Sequence, residues 1–138
     1  GYKKPGKSQY GSFLFKAKEE LDNSFWQPYG FDNAILKIEK SIQSISLTAK
    51  EINAELYLII YPWPDSLEYG QDKFNWENFA NNLCQKNSCT KLINFFPEFQ
   101  EIKKVSNDWV NKLYIEDDVH LTNFGHDLIA KKILQESF

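Results

Sequence analysis

The sequence predicts an α/β domain built on a parallel β-sheet. Helical and strand patterns alternate along the chain, and this order places helices on both sides of a parallel sheet. The first strand pattern, at residues 56–61, is an unbroken apolar run, as expected for a strand that is buried on both faces. The chain has 138 residues, 42% of them hydrophobic, which is enough for one packed domain.

The first helix and the first strand have the clearest patterns. Between residues 34 and 52, apolar residues recur at helical spacing, and Asp32 stands where an N-cap belongs. The recurring positions are Ile35, Ile38, Ile42, Ile45, Ala49 and Ile52. Residues 56–61 then form an apolar run that Pro62 stops, which predicts a buried strand. Residues 1–33 lack such periodicity, so we expect a peripheral N-terminal segment followed by the domain proper over residues 34–138.

Further elements follow in the second half of the chain. They are a helix over residues 75–84, a strand over 91–96, a helix over 98–111, a short strand over 113–115, and a last helix capped by Thr122. Open parallel sheets usually have about five or six strands, and only three are predicted. We therefore expect the first part of the sheet, and any export signal, in sequence before Gly1, and the absence of Met agrees with this. The cellular compartment stays open, the periplasm or exterior of a bacterium included.

Composition argues against several classes of partner. The formal net charge is −3 and no long charged run occurs, so neither nucleic acid nor an anionic membrane surface is expected to bind. No stretch reaches the roughly 18 apolar residues that a membrane span needs. All 16 basic residues are Lys, which makes phosphoryl chemistry less favoured because Arg is its usual bidentate ligand.

The two cysteines, Cys84 and Cys89, allow two interpretations. They are close enough in sequence for a local disulfide, and two free thiols are equally compatible with the pattern. A zinc site would need about four ligands, and no His lies near them. No metal or other cofactor is predicted.

Candidate catalytic residues lie in the loop after the last predicted strand. Ligands of open α/β sheets bind beyond the carboxyl ends of the strands, and this loop contains Asp117 and His120. An imidazole can take the proton of a hydroxyl nucleophile if a carboxylate orients its other nitrogen. The spacing of three favours Asp117 over Asp118 as that carboxylate. The alternative is a solvent-facing His120 with acids that merely favour the start of the next helix.

Two other features of the last helix have plainer interpretations. His126 has no acid three residues before it, so a capping or packing role is favoured over catalysis. Lys131 and Lys132 are predicted to form a solvated helix face, where cations near a C-terminus are favourable.

The segment Asp117-Asp118-Val119-His120-Leu121-Thr122-Asn123-Phe124-Gly125-His126 resembles the final conserved block of the SGNH (GDSL-type) hydrolase superfamily. That block has Asp-x-x-His, a small helix-starting residue, then Gly and an apolar helix. The resemblance implies a flavodoxin-like three-layer α/β/α sandwich, of which this chain would be the C-terminal part. It also implies a serine nucleophile in a Gly-Asp-Ser block, with oxyanion donors from that Ser, a Gly and an Asn.

The upstream blocks of that superfamily do not occur in the chain. There is no Gly-Asp-Ser, and Gly30-Phe31-Asp32-Asn33 has the last two residues of the family's Gly-x-Asn-Asp block exchanged. The nucleophile is therefore expected in sequence before Gly1, in the upstream part of the same domain.

Trp63, in the turn after the first strand, is the candidate substrate-binding residue. It could stack on a sugar or form an apolar wall for an acyl group, whereas Tyr61, Tyr69 and Trp76 are more simply packing residues. The first hypothesis is a serine esterase acting on acyl esters, O-acetyl esters and glycan esters among them. An O-acyltransferase that modifies a polysaccharide with the same triad is the runner-up. A non-catalytic flavodoxin-like binding module is the alternative from another class.

Overall fold

The computed structural model describes residues 31–72, 74–115 and 120–137. Their elements are α1 (Phe31–Glu51), β1 (Tyr57–Ile60), α2 (Pro64–Tyr69), α3 (Trp76–Lys86), β2 (Lys91–Asn94), α4 (Phe96–Val105), α5 (Trp109–Leu113) and α6 (Asn123–Ser137). The helix predicted over 34–52, the strands over 56–61 and 91–96, and the helix over 75–84 are confirmed, with shifted ends.

The two strands form a small parallel sheet. Tyr57 is paired with Lys91 at one end and Ile60 with Asn94 at the other. One further bond continues the pairing beyond the strands, since the N–H of Phe95 donates to the Ile60 carbonyl at 2.9 Å. The parallel pairing and the helices between and after the strands confirm the general α/β class.

Helices pack on the sheet through residues that alternate along β2. Side chains of neighbouring strand residues point to opposite faces. Asn94 donates to Glu77 of α3 at 2.6 Å, whereas Ile93 and Phe95 are fully buried in the main core. That core also contains side chains from the later helices and from the chain between them: Phe99, Trp109, Leu113, Tyr114 and Leu121.

Hydrogen bonds and ion pairs of two lysines connect the helix α6 to the sheet. Lys132 donates to the Asn94 carbonyl at 2.7 Å and pairs with Glu98, so the prediction that it lies on a solvated face is wrong. Lys91 lies 3.0 Å from a Glu136 oxygen. The hydrogen bond from Lys91, together with the positive charges of Lys91 and Lys132, holds the pKa of Glu136 below its usual value of 4.5.

The third predicted strand does not form among the described residues. Leu113 is instead the last residue of α5, and Tyr114 makes a single antiparallel bridge with Leu121. The helix predicted over 98–111 is also corrected, because it is divided into α4 and α5. The break lies at Ser106, which has extended backbone angles. Its N–H donates to the Ile102 carbonyl, and this is the last hydrogen bond of α4.

The first helix differs from prediction in its start and its buried face. Phe31 is already helical, so Asp32 lies in the first turn and is not the N-cap. Phe31 and Ser46 are its buried residues, and Ser46 donates to the Asn87 carbonyl at 2.7 Å. Of the six recurring apolar residues, Ile38, Ile45 and Ile52 are exposed. The packed face is therefore turned away from part of the apolar stripe.

The two cysteines form a disulfide that joins the end of α3 to the approach to β2. Cys84 and Cys89 are five residues apart in sequence, with Cα atoms 4.9 Å apart. This decides between the two interpretations that the spacing allowed. In the part of the chain that the structure describes, no helix is long and apolar enough to cross a membrane.

Candidate functional site

A pocket of about 210 Å³ lies at the carboxyl edge of the sheet. Its walls come from the end of β1 and the following turn, from α2, and from the first residues of α3 and α4. The lining residues are Ile60, Tyr61, Pro62, Trp63, Ser66, Trp76 and Phe96. Three elements that are distant in sequence therefore meet at the edge where ligands of parallel sheets bind.

The turn after β1 places Trp63 in the lining of this pocket. Trp63 has extended backbone angles at the N-cap position of α2, and Pro64 follows in the first helical turn, where its fixed φ suits a helix start. The Trp63 carbonyl accepts the N–H of Ser66 at 3.0 Å. With 38% of its surface exposed, Trp63 is available to a ligand while its backbone is fixed.

A polar network holds the backbones of two other lining residues, Trp76 and Phe96. The Gln71 side chain accepts the N–H of Trp76 at 2.8 Å and donates to Glu77 at 2.7 Å. Asn94 donates to the other oxygen of Glu77 and accepts the N–H of Phe96 at 3.0 Å. Because the network bonds the backbones of both Trp76 and Phe96, it fixes two walls of the pocket relative to each other.

The chain on either side of His120 is held by backbone hydrogen bonds. The N–H of Ile115 donates to the His120 carbonyl at 2.9 Å, and the N–H of Thr122 donates to the Leu113 carbonyl at 2.9 Å. These bonds flank the bridge between Tyr114 and Leu121. His120 itself is exposed, so its imidazole is accessible to solvent or a ligand.

The start of α6 explains why Thr and Gly follow His120 at these spacings. Thr122 accepts the N–H of Gly125 at 3.2 Å, which confirms the predicted cap, and donates to the Lys112 carbonyl at 2.6 Å. A Cβ on Gly125 would lie 2.6 Å from the Leu113 carbonyl oxygen and 3.1 Å from the Leu121 side chain. Only glycine allows α6 to approach the end of α5 this closely.

Tyr114 connects the pocket to the His120 segment. Its hydroxyl donates to the Pro62 carbonyl at 2.6 Å, and its side chain is 1% exposed. The ring packs against Phe99 and Trp109 in the core. Since Pro62 precedes Trp63 and Tyr114 begins the bridge to Leu121, one buried hydrogen bond joins the two halves of the candidate site.

The predicted site residues divide into described and undescribed ones. Asp117 and its alternative Asp118 lie outside the described residues. His120 lies in the segment whose ends are fixed by the backbone hydrogen bonds of Ile115 and Thr122. Trp63 lines the pocket. His126 is exposed in the first turn of α6, so of the two roles predicted for it, capping or packing, packing is wrong and capping stays a prediction.

Sequence reasoning missed several wall residues of the pocket. The sequence predicts packing for Trp76 and a strand end for Phe96. Trp76 lines the pocket and also packs, since its ring lies edge-on against Phe74 with the centroids 4.6 Å apart. Ser66 was not singled out, although its position shortly after a strand that ends in prolines is the kind of place where pocket residues occur.

No group of three or more potential metal-ligating side chains lies together within the described ranges. Comparison of the chain with protein-family models, curated proteins and solved structures gave no match.

Proposed function

We propose that this chain carries the acid/base part of a serine esterase site, in which His120 is the general base and Asp117 orients it. His120 would take the proton of the attacking hydroxyl and then give it to the leaving alcohol. The Asp117 carboxylate would hold the imidazole tautomer and stabilise the imidazolium that forms. No metal or other cofactor enters this reaction scheme.

The observation that best supports the proposal is the buried hydrogen bond from Tyr114 to the Pro62 carbonyl. Catalysis requires the reacting groups and the bound substrate to be held in a fixed relation. The bond connects the turn that carries Trp63 to the segment that ends in His120. A substrate pocket and its catalytic base need a link of this kind to keep their relative position.

The close approach at Gly125 agrees with this assignment, whereas the exposure of His120 is expected of a general base and of a solvent-facing loop residue alike. A general base has to be within reach of its substrate, and a buried imidazole in this segment would have argued against it. Gly125 lets α6 begin directly behind the segment, so the position of His120 depends on α5 and α6 together. The motif spacing thus has a physical reason.

The proposal takes the serine nucleophile from sequence outside residues 1–138, because no Gly-Asp-Ser occurs among them. It also takes the parallel sheet to be part of a flavodoxin-like three-layer sandwich that such upstream sequence completes. An O-acyltransferase would use the same groups with an alcohol in place of water. Product analysis separates the two, since only transfer yields a new ester.

The test compares single variants of the full-length polypeptide that carries this sequence. We expect His120→Ala to lower the rate of p-nitrophenyl acetate hydrolysis at least about 10²-fold, the contribution typical of a general base. His126→Ala is the matched control, because His126 is exposed six residues later, and it should keep the parent rate.

The carboxylate is tested in the same way. Asp117→Asn should lower the rate at least about 10²-fold, and Asp118→Asn should not. Equal rates for the parent and His120→Ala would refute the proposal and leave a binding module as the better interpretation. A large loss in Asp118→Asn with none in Asp117→Asn would refute the choice of carboxylate.

A further inference from the structure

The pocket at the carboxyl edge has mainly apolar walls. Its seven lining residues are one isoleucine, one proline, four aromatic residues and Ser66. Ser66 is therefore the lining residue whose side chain is mainly polar. We propose that this pocket binds a compact apolar group of the size of a benzene ring or a short acyl chain, and does not bind a sugar ring.

The volume supports a group of this size. Sites for whole drug-sized ligands usually measure about 300–1,000 Å³, so a pocket of about 210 Å³ holds only a part of such a molecule. An apolar cavity of about 150 Å³ in another protein is large enough to bind benzene. A six-membered aromatic ring or an acyl chain of similar size therefore fits here.

The chemistry of the walls argues against a sugar ring. A pyranose carries several hydroxyl groups, and each one that loses water without gaining a partner costs about 1–3 kcal/mol. The polar groups of the lining side chains are the Ser66 hydroxyl, the Tyr61 phenol and the indole N–H groups of the two tryptophans. An indole N–H only donates, so few of these groups can accept the hydroxyl protons of a sugar. An apolar group has no such loss, and aromatic walls favour edge-to-face and offset contacts with a ring.

The pocket is formed before any ligand binds, which makes binding of a small group feasible. The ring of Trp76 packs edge-on against Phe31, Phe74 and Phe79, and the backbone N–H of Trp76 donates to the Gln71 side chain. The backbone of the turn that carries Trp63 is stiffened by its flanking prolines. A small ligand gains affinity from such walls, because little side-chain freedom is lost on binding.

Binding is measured without any reaction, by ¹⁹F NMR of 4-fluorobenzyl alcohol titrated with the full-length polypeptide. We expect saturable binding that methyl β-glucoside does not displace. Ser66→Leu should weaken it at least about tenfold, because the longer side chain fills a pocket with little spare volume. Ser41→Leu is the matched control, since Ser41 is exposed on α1, and it should bind like the parent.

A second variant keeps the test decisive if Ser66→Leu does not fold. Trp63→Ala removes an aromatic side chain from the lining and should also weaken binding of the ring, with its fold checked by circular dichroism. Displacement by methyl β-glucoside, or parent-like binding in a folded Ser66→Leu or Trp63→Ala variant, would overturn the inference.

That the apolar group belongs to an ester rests on the function proposed above. Hydrolysis of methyl acetate, methyl benzoate and benzyl acetate, followed by pH-stat titration, assigns it. A higher kcat/KM for methyl benzoate than for methyl acetate places the acyl group in the pocket, and a higher value for benzyl acetate places the alcohol there. Either preference should disappear in Ser66→Leu.

The two proposals can fail separately. Ring binding without hydrolysis of any of the three esters would support the pocket and refute the esterase. Hydrolysis that depends on His120 without saturable binding of 4-fluorobenzyl alcohol would support the esterase and refute the pocket.

Discussion

Replacing Gly125 with Ala should destabilise the protein, although Ala is the better helix former. In an open helix position this change stabilises by roughly 1 kcal/mol. Here the new Cβ would lie 2.6 Å from the Leu113 carbonyl oxygen, against at least 3.4 Å for ordinary contact. Relief requires a movement of about 0.8 Å, the difference between these two distances.

The atoms that would have to move are held in place by other contacts. The Leu113 carbonyl is backbone and also accepts the N–H of Thr122, and the Leu121 side chain lies 3.1 Å away on the same side. Overpacking a rigid contact costs about 1–3 kcal/mol. After the gain in helix propensity, we expect a net loss of about 1–2 kcal/mol in the free energy of unfolding.

The measurement is urea denaturation of the full-length polypeptide, followed by circular dichroism. His126→Ala is the control, because it changes an exposed neighbour in the same helical turn and should alter stability by less than about 0.5 kcal/mol. If Gly125→Ala proves as stable as the parent or more stable, the close approach of α6 to α5 does not limit the residue at this position.

Three other perturbations have effects that follow from single contacts. Tyr114→Phe removes a buried hydrogen bond and should lower the free energy of unfolding by about 1–3 kcal/mol, measured by the same denaturation. No change would mean that water readily replaces the tyrosine as the donor to the Pro62 carbonyl. Replacing Cys84 and Cys89 together by Ser opens a short loop and should lower the free energy of unfolding by about 2 kcal/mol by the chain-entropy relation. Reduction of the disulfide in the parent should give the same loss. Unequal losses would contradict this account. Glu136→Gln removes a carboxylate whose pKa is lowered by Lys91. The parent should therefore have the higher free energy of unfolding at pH 7, and this difference should fade as the pH falls below 4.5. Denaturation at pH 7 and pH 3 checks this, and an equal difference at both would contradict it.

The elements predicted most reliably are those whose pattern is set by local chemistry. The apolar run at residues 56–61 is stopped by Pro62, which cannot continue the strand pairing, and β1 ends where that rule places it. Thr122 caps α6 because its hydroxyl is one of the few groups that can accept the N–H groups of a helix start. Both outcomes depend on neighbours in sequence.

The elements predicted wrongly depend on contacts between distant segments. Residues 113–115 are apolar enough for a strand, yet Leu113 completes α5 and Tyr114 finds a single partner in Leu121. Periodicity also marks Ile38 and Ile45 as core residues, although both are exposed. A sequence pattern gives the width of an apolar stripe, but the packed neighbour decides which part of the stripe is covered.

The sequence by itself determined the α/β class, the two strands, and the position of His120 next to a capped helix with glycine in its first turn. Tertiary structure alone decided the composition of the pocket, because Trp63, Trp76 and Phe96 come from three elements that meet only when β1 and β2 pair. The link from Tyr114 to Pro62 spans 52 residues. Such a contact has no periodic signature in the sequence, since it is fixed by how the helices pack on the sheet and not by the residues around it.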